Sequence, residues 1–294
     1  MKIQYLNGGL ANQVFQYIFA RFAYFYSNGR DTLFLDDSYF YTESKHNGYE
    51  LDKVFGLKPE LLSVHLAGES WEYMIDNRKR DIGVCQSVKD LGIDIKMVSE
   101  VDISSGVNSF NGKIYTIPSN EFYPEILNMP GDVYYHGYWI NKEWYGCYKK
   151  QFIKELVFPK IVDAGNKKYE KIILERKTIG VHVRRGDFVS LGWELPEDYY
   201  GKSLASIRKL HSDAVIMIFS DDIEWCRQNR EVLGFYGFSD VLYVEGNVDG
   251  KNYIDLYLMQ CCEGLVMSNS SFCYLAALLN TRLRYVCNPT KRKI

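Results

Sequence analysis

Apolar and polar positions along this chain follow two periods, and where each period holds decides which element a segment forms. Residues 2–6 (KIQYL) have the length and composition of a strand, and the loop NGGLAN follows them. The apolar run from Val14 to Tyr26, broken by Gln16 and Arg21, predicts a buried helix. Strand, glycine turn and helix together are the opening unit of an α/β domain. The pattern then weakens for about a hundred residues, where TLFLDD (32–37), KIYTI (113–117) and VYYHGYW (133–139) predict strands between irregular segments. Asn141 is suited to cap a helix running to about Val157, which Pro159 ends.

From residue 178 the alternation becomes regular. TIGVHV, a helix near 197–210, VIMIF, a helix near 222–232 and VLYV come first; a helix around 252–262, GLVMS, a helix from about 271 to 280 and RYVC complete the run. Apolar strands alternating with helices predict a parallel sheet with helical crossovers, a Rossmann-like domain. Pro159 and the polar stretch DAGNKK interrupt the pattern, which divides the chain into domains of 1–160 and 161–294.

With 294 residues, 47% of them hydrophobic and 24% charged, the chain can bury a core in each domain. Lys and Arg number 35 against 37 Asp and Glu, so a net charge of -2 gives no field to draw a polyanion, and nucleic acid is excluded as a partner. Seven cysteines, an odd number without a CxxC pair, read as reduced thiols in a cytoplasmic protein. No apolar run reaches the ~18 residues of a spanning helix, and the amino terminus has no signal-type apolar core. The basic carboxy terminus, RLRYVCNPTKRKI, has two readings, a solvated tail or a peripheral contact with an anionic membrane surface.

Ligands of open parallel sheets bind beyond the carboxyl ends of the strands, so the residues following each strand carry the candidate chemistry. HVRRGDFV (182–189) places His182 and Arg184 on one face of a strand end, with Arg185 and Asp187 beside them. Arg184 is suited to grip a phosphate through paired hydrogen bonds while Asp187 orients it; the plainer reading is a structural ion pair. Ser220, Asp221 and Asp222 (SDD) either cap the next helix or present a carboxylate to a nucleobase such as guanine. In SNSSF (268–272), Asn269 or Ser270 caps a helix whose first amides, at Ser270 and Ser271, form an anion site. The loop holding Gly8 and Gly9 lacks both the dinucleotide fingerprint and the P-loop Lys, and close approach of backbone to a ligand accounts for its glycines. Asn12 and Gln13 either cap the following helix or donate hydrogen bonds into a cleft. No two Asp lie two positions apart and the His residues have no ligand spacing, so metal is not expected, and Arg184 with the helix amides must stabilise a leaving group.

These segments resemble glycosyltransferase family 11, the α-1,2-fucosyltransferases, here in its bacterial form. The family's GGLGNQxFQY, HxRRGDYV, SDD and SNSSF stand here as GGLANQVFQY (8–17), HVRRGDFV (182–189), FSDD (219–222) and SNSSF (268–272), and HGYWINKEWY (136–145) is similar to its GYWQSEKYF element. The match spans nearly the whole chain in order. Ala11 replaces a usual Gly, Phe188 a Tyr, and Tyr274 and Leu275 stand where an aromatic pair often follows SNSSF. The resemblance implies a GT-B-like α/β fold of two facing Rossmann-like domains, the first on the acceptor side and the second binding GDP-sugar. It implies inverting, metal-independent transfer of fucose from GDP-fucose, with no cofactor, to the 2-hydroxyl of an oligosaccharide or lipid-linked glycan in bacterial surface-glycan synthesis such as O-antigen. By the same similarity Arg184 binds pyrophosphate, His182 and Asp222 hold guanosine, and Ser270, Ser271 and Phe272 line the phosphate pocket. Gly9, Asn12, Gln13 and Arg185 join the donor-binding set, and Asp36, Asp37 and Glu194 are candidate bases. Two rival readings keep part of this picture: a transferase using another GDP-deoxyhexose, and a non-catalytic carbohydrate-binding protein whose 24 Tyr and 16 Phe supply stacking faces.

Overall fold

The computed structural model describes residues 1–43, 46–66, 68–101, 109–196 and 198–290. The end of the basic tail, 291–294, lies outside them. No helix among the described residues is long and apolar enough to cross a membrane. The chain divides into two compact units, Met1–Val157 and Phe158–Ile294. Each contains a five-stranded parallel sheet with helical crossovers, the α/β, GT-B-like class expected from the sequence.

The first unit opens with β1 (Lys2–Tyr5), α1 (Leu10–Tyr26) and β2 (Phe34–Asp36). Five short helices follow: α2 (Tyr39–Thr42), α3 (Leu51–Phe55), α4 (Leu62–His65), α5 (Glu69–Arg78) and α6 (Val84–Asp90). Then come β3 (Ile95–Glu100), β4 (Ile114–Ile117), β5 (Asp132–His136), α7 (Lys142–Gly146) and α8 (Lys149–Glu155). The sheet order is β2-β1-β5-β3-β4. Phe19 of α1 stacks on Trp139 at 4.2 Å between ring centroids and meets Trp144 edge-on, so the aromatic excess of this half fills a core. The helix expected over 141–157 is two. Asn141 does cap the first, accepting from the Glu143 amide at 2.9 Å, but Tyr148 leaves helical geometry as its ring packs on Phe22 and Phe25. Strand β3 has no counterpart in the sequence reading, although it lies between β5 and β4.

The second unit runs α9 (Ala164–Glu175), β6 (Thr178–Val183), α10 (Gly186–Leu191), α11 (Asp198–Leu210), β7 (Val215–Ser220) and α12 (Ile223–Gln228). It ends with β8 (Val241–Tyr243), α13 (Asn252–Cys261), β9 (Gly264–Val266), α14 (Ser271–Leu279) and β10 (Tyr285–Cys287). The sheet order is β10-β9-β6-β7-β8, so the chain steps outward from β6 to β8, then returns to the other side of β6. Ile179, Val181 and Val183 point to one face, packing with Tyr200, Leu204 and Ile207 of α11 and Cys226 of α12. Gly180 points to the other, where a Cβ would lie 3.3 Å from Cys262 Sγ at the end of α13. All seven cysteines are free.

A polar chain, buried at Asn166 and Asn247 and half-buried at Asp255, ties α9 to α13. Asn166 and Asn247 exchange side-chain amide hydrogen bonds of 2.8 and 3.0 Å, and Asn247 Nδ2 also donates to Asp255 Oδ1 at 2.6 Å. Burial pushes the Asp255 carboxyl up to about 7. The unfolded chain has its carboxyl near ~3.9, so the folded state holds the extra proton between those values and stability declines as pH rises from about 4 to 7. Asp255→Asn removes that dependence. Urea unfolding from pH 4 to 8 is expected to show the wild type losing stability relative to the variant with rising pH, by on the order of 1–4 kcal/mol; parallel curves exclude a buried protonated carboxyl.

Candidate functional site

The reversal of strand order between β6 and β9 leaves a crevice at their carboxyl ends, because the connections leave these two strands in opposite directions. HVRRGD follows β6, SDD closes β7 and SNSSF follows β9, so all three segments chosen from the sequence meet at this end of one sheet.

Asp221 joins two of them. Its Oδ2 lies 2.7 Å from Arg184 Nη1, and its Oδ1 accepts the Arg185 backbone amide at 2.8 Å. Gly186 sits directly over the carboxylate, and a Cβ there would come within 2.5 Å of Asp221 Oδ2. Both Asp221 oxygens thus already hold this corner together, one on a guanidinium and one on a backbone amide. Asp187 does hold Arg184, at 2.6 Å from Nη2. Asp222 caps α12, accepting from the Trp225 amide at 3.0 Å, and its Oδ2 is 3.6 Å from Arg185 Nε. Ser220 Oγ accepts the Asp222 amide at 3.0 Å. The Arg185 guanidinium lies over the Trp225 ring, 3.7 Å from its centroid. Two guanidinium groups thus face three carboxylates, a formal balance of -1 around the expected anion site.

His182 lies on the face opposite Val181 and Val183, and its Nδ1 shares a 2.8 Å hydrogen bond with Ser268 Oγ at the end of β9. Burial, with the Arg184 charge adding to it, pushes His182 down to about 3, so the ring is neutral near pH 7 and brings no charge to a phosphate. Ser268 Oγ also accepts the Ser270 amide at 3.2 Å. Ser270 is the cap of α14, its Oγ accepting from the Phe272 amide at 3.2 Å; Ser271 opens the helix, and the Phe272 ring lies 5.8 Å from His182. Asn269 is not the cap. Its Nδ2 donates to the Trp193 carbonyl at 2.7 Å, binding SNSSF to the segment after α10. Ser268, Gly186, Trp193 and Trp225 were not selected from the sequence; Ser268 was within the motif itself, and only its partner revealed a role.

A cleft of about 320 Å³ opens beside this cluster, lined by Arg184, Arg185, Glu194, Tyr200 and Trp225 among others. Glu194 is exposed there. The other two candidate bases lie in the first unit and face inward. Asp36 is 0% exposed and accepts from the Tyr134 hydroxyl at 2.5 Å and the Ser38 amide at 3.0 Å. Asp37 is also buried, which raises its pKa, and holds the Ser63 amide and hydroxyl at 3.1 and 2.6 Å. Both carboxylates are thus engaged by groups of the first unit itself.

The first glycine loop has local causes as well. Gly8 has φ +75°, and a Cβ on it would lie 2.7 Å from Asn12 Nδ2; Gly9 begins α1 in extended conformation without a side-chain cap. Gln13 neither caps the helix nor reaches a cleft. It is fully buried, donating to the Gly8 and Gly48 carbonyls at 2.9 Å each and accepting the Glu50 amide at 2.9 Å. Ala11 lies inside α1, where no glycine is needed.

The model of the family described as glycosyl transferase family 11 matches residues 90–292. The chain is 28% identical over 295 residues to an alpha-1,2-colitosyltransferase of Escherichia coli, covering 97% of this chain and 90% of that protein. It is 26% identical over 306 residues to the O-antigen biosynthesis glycosyltransferase WbnK of Escherichia coli, covering 97% and 93%. Among solved structures, the NodZ alpha-1,6-fucosyltransferase soaked with GDP-fucose superposes with a TM-score of 0.50 at 14% identity, over 95% of this chain and 92% of that one. That likeness concerns the fold.

Two measurements check this geometry. Gly186→Ala is expected to destabilise the protein by about 1–3 kcal/mol, because its Cβ enters the space of a carboxylate pinned at both oxygens. Combined with Asp221→Ala, the loss should be less than the sum of the single losses, and strict additivity would show that Gly186 and Asp221 do not meet. The His182 imidazole nitrogen resonances should not titrate between pH 5 and 8, in contrast to an exposed histidine.

Proposed function

Because this chain belongs to glycosyl transferase family 11, we propose that it transfers L-fucose from GDP-fucose to the 2-hydroxyl of an acceptor sugar, inverting the anomeric centre without a metal. The acceptor on this reading is a β-galactoside at the end of an oligosaccharide or lipid-linked glycan, in surface-polysaccharide synthesis. The observation that carries the proposal is the convergence of Arg184, the neutral His182 and the capped start of α14 at one strand-order reversal. The second unit is assigned the donor, and the first the acceptor.

In this mechanism the diphosphate lies between the Arg184 guanidinium and the amide of Ser271, since the Ser270 amide is held by Ser268 Oγ, and the first turn of α14 adds its dipole. It replaces one of the two carboxylates that hold Arg184, so the cation exchanges one anion for another. His182 contributes hydrogen bonding without charge, and Asp222, whose Oδ2 is only loosely held by Arg185 at 3.6 Å, is assigned to guanosine. The bond from fucose C1 to the phosphate oxygen breaks with its electron pair passing to the phosphate, which Arg184 stabilises as the charge develops. The sugar passes through an oxocarbenium-like state that the absent 6-hydroxyl makes less costly. The acceptor oxygen bonds to C1 from the face opposite GDP, converting the β-linked donor to an α-linked product. Its proton goes to the Glu194 carboxylate, the one candidate base that is exposed and lines the cleft.

A second reading keeps the site and changes the sugar. It is favoured by the relative named as a colitosyltransferase, which matches 97% of this chain. Mass spectrometry of products formed from a panel of GDP-deoxyhexoses and β-galactosides separates the two. Arg184→Ala is expected to lower kcat/KM with GDP-fucose by roughly two to three orders of magnitude, and EDTA to leave turnover unchanged. Near-normal activity of the variant removes the assigned role of Arg184; loss with EDTA, restored by a divalent cation, removes metal independence.

A further inference from the structure

We infer that Trp193, braced on Phe188, is the surface on which the transferred deoxyhexose packs, and that it selects donors by the apolar face of their sugar. This rests on the GDP-deoxyhexose reading above and deepens it.

Helix α10 buries none of its residues and stops at Gly192, which takes the left-handed conformation at φ +65°. The turn that results fixes Trp193 from three sides. Its amide donates to the Phe188 carbonyl at 2.9 Å, its carbonyl accepts from Asn269 Nδ2 at 2.7 Å, and its indole meets the Phe188 ring edge-on at 5.7 Å. The Phe188 ring in turn lies under the Arg184 guanidinium at 5.4 Å. Despite this bracing the indole remains 57% exposed. A single exposed aromatic needs no explanation, but this one has its backbone tied at both polar groups and its indole against Phe188, two contacts from the assigned phosphate ligand.

The chain of contacts specifies which part of the donor reaches it. In a nucleotide-sugar the hexose is bonded directly to the terminal phosphate, whereas ribose and the first phosphate separate the base from it. A phosphate on Arg184 puts the hexose within reach of the Phe188–Trp193 shelf, which adjoins Glu194 of the cleft lining without itself lining the cleft. A 6-deoxyhexose carries a methyl group where an ordinary hexose carries a hydroxymethyl, which gives the ring an apolar edge that an indole face matches and that a hydroxyl would spoil. Glu194, the next residue and the base assigned above, lines the cleft, so the shelf adjoins the reacting end of the donor on that reading.

Calorimetric titration of wild type, Trp193→Ala and Trp193→Phe with GDP, GDP-L-fucose and GDP-L-galactose, the 6-hydroxy counterpart of GDP-L-fucose, tests the assignment. Trp193→Ala should weaken GDP-L-fucose about tenfold while GDP binding stays within about twofold, and Trp193→Phe should recover most of the loss. The wild-type preference for GDP-L-fucose over GDP-L-galactose should narrow in the alanine variant. An equal loss for GDP and GDP-L-fucose, or an unchanged preference, overturns the role of Trp193 and leaves the donor reading standing. Failure of the wild type to bind GDP at all overturns both.

Discussion

The carboxylate of Asp221 is the constraint on which the site depends. Arg184 leaves the end of β6 with only Asp187 and the Phe188 ring in its own segment against it, contacts that do not tie the loop to the sheet. Asp221, from the neighbouring strand, holds the guanidinium at 2.7 Å and the next backbone amide at 2.8 Å. Gly186 is the residue that lets the backbone come this close. The cation, the start of α10 and the end of β7 therefore form one rigid corner, and the contacts to Phe188 and Trp193 extend from it.

That corner differs from an open positive pocket. Each guanidinium has a carboxylate partner, and the one imidazole present is buried without charge. An anion entering here gains less from net attraction than from geometry, since the cation is already oriented and partly removed from water. On the proposed function, a diphosphate is distinguished from other anions by whether it matches two directions, the Arg184 guanidinium and the Ser271 amide.

The sequence was informative where function and fold coincide. The parallel sheet of the second unit was legible because its strands are short apolar runs between helical stretches, and the polar residues that end them stand out against that background. Strand β3, Ile95–Glu100, was not legible: Lys96, Ser99 and Glu100 dilute its apolar character, yet it sits inside a sheet where Ser99 and Glu100 are buried through tertiary contacts. Side-chain direction was the other gap. Asp36 and Asp37 end a strand just as Asp221 and Asp222 do, and nothing in the local pattern says that the first pair faces Tyr134 and Ser63 rather than solvent. The same applies to Asn269, whose amide reaches a carbonyl 76 positions away in the chain.

Gln13 carries a consequence of a different kind. Its amide nitrogen faces two carbonyl oxygens and its oxygen faces an N–H group, so the two ends of the group are not interchangeable and the amide cannot flip. Glutamate has the same shape, but it would set an oxygen against two others and add a charge with no water to solvate it. Of two isosteric side chains, only the neutral one is compatible with this position.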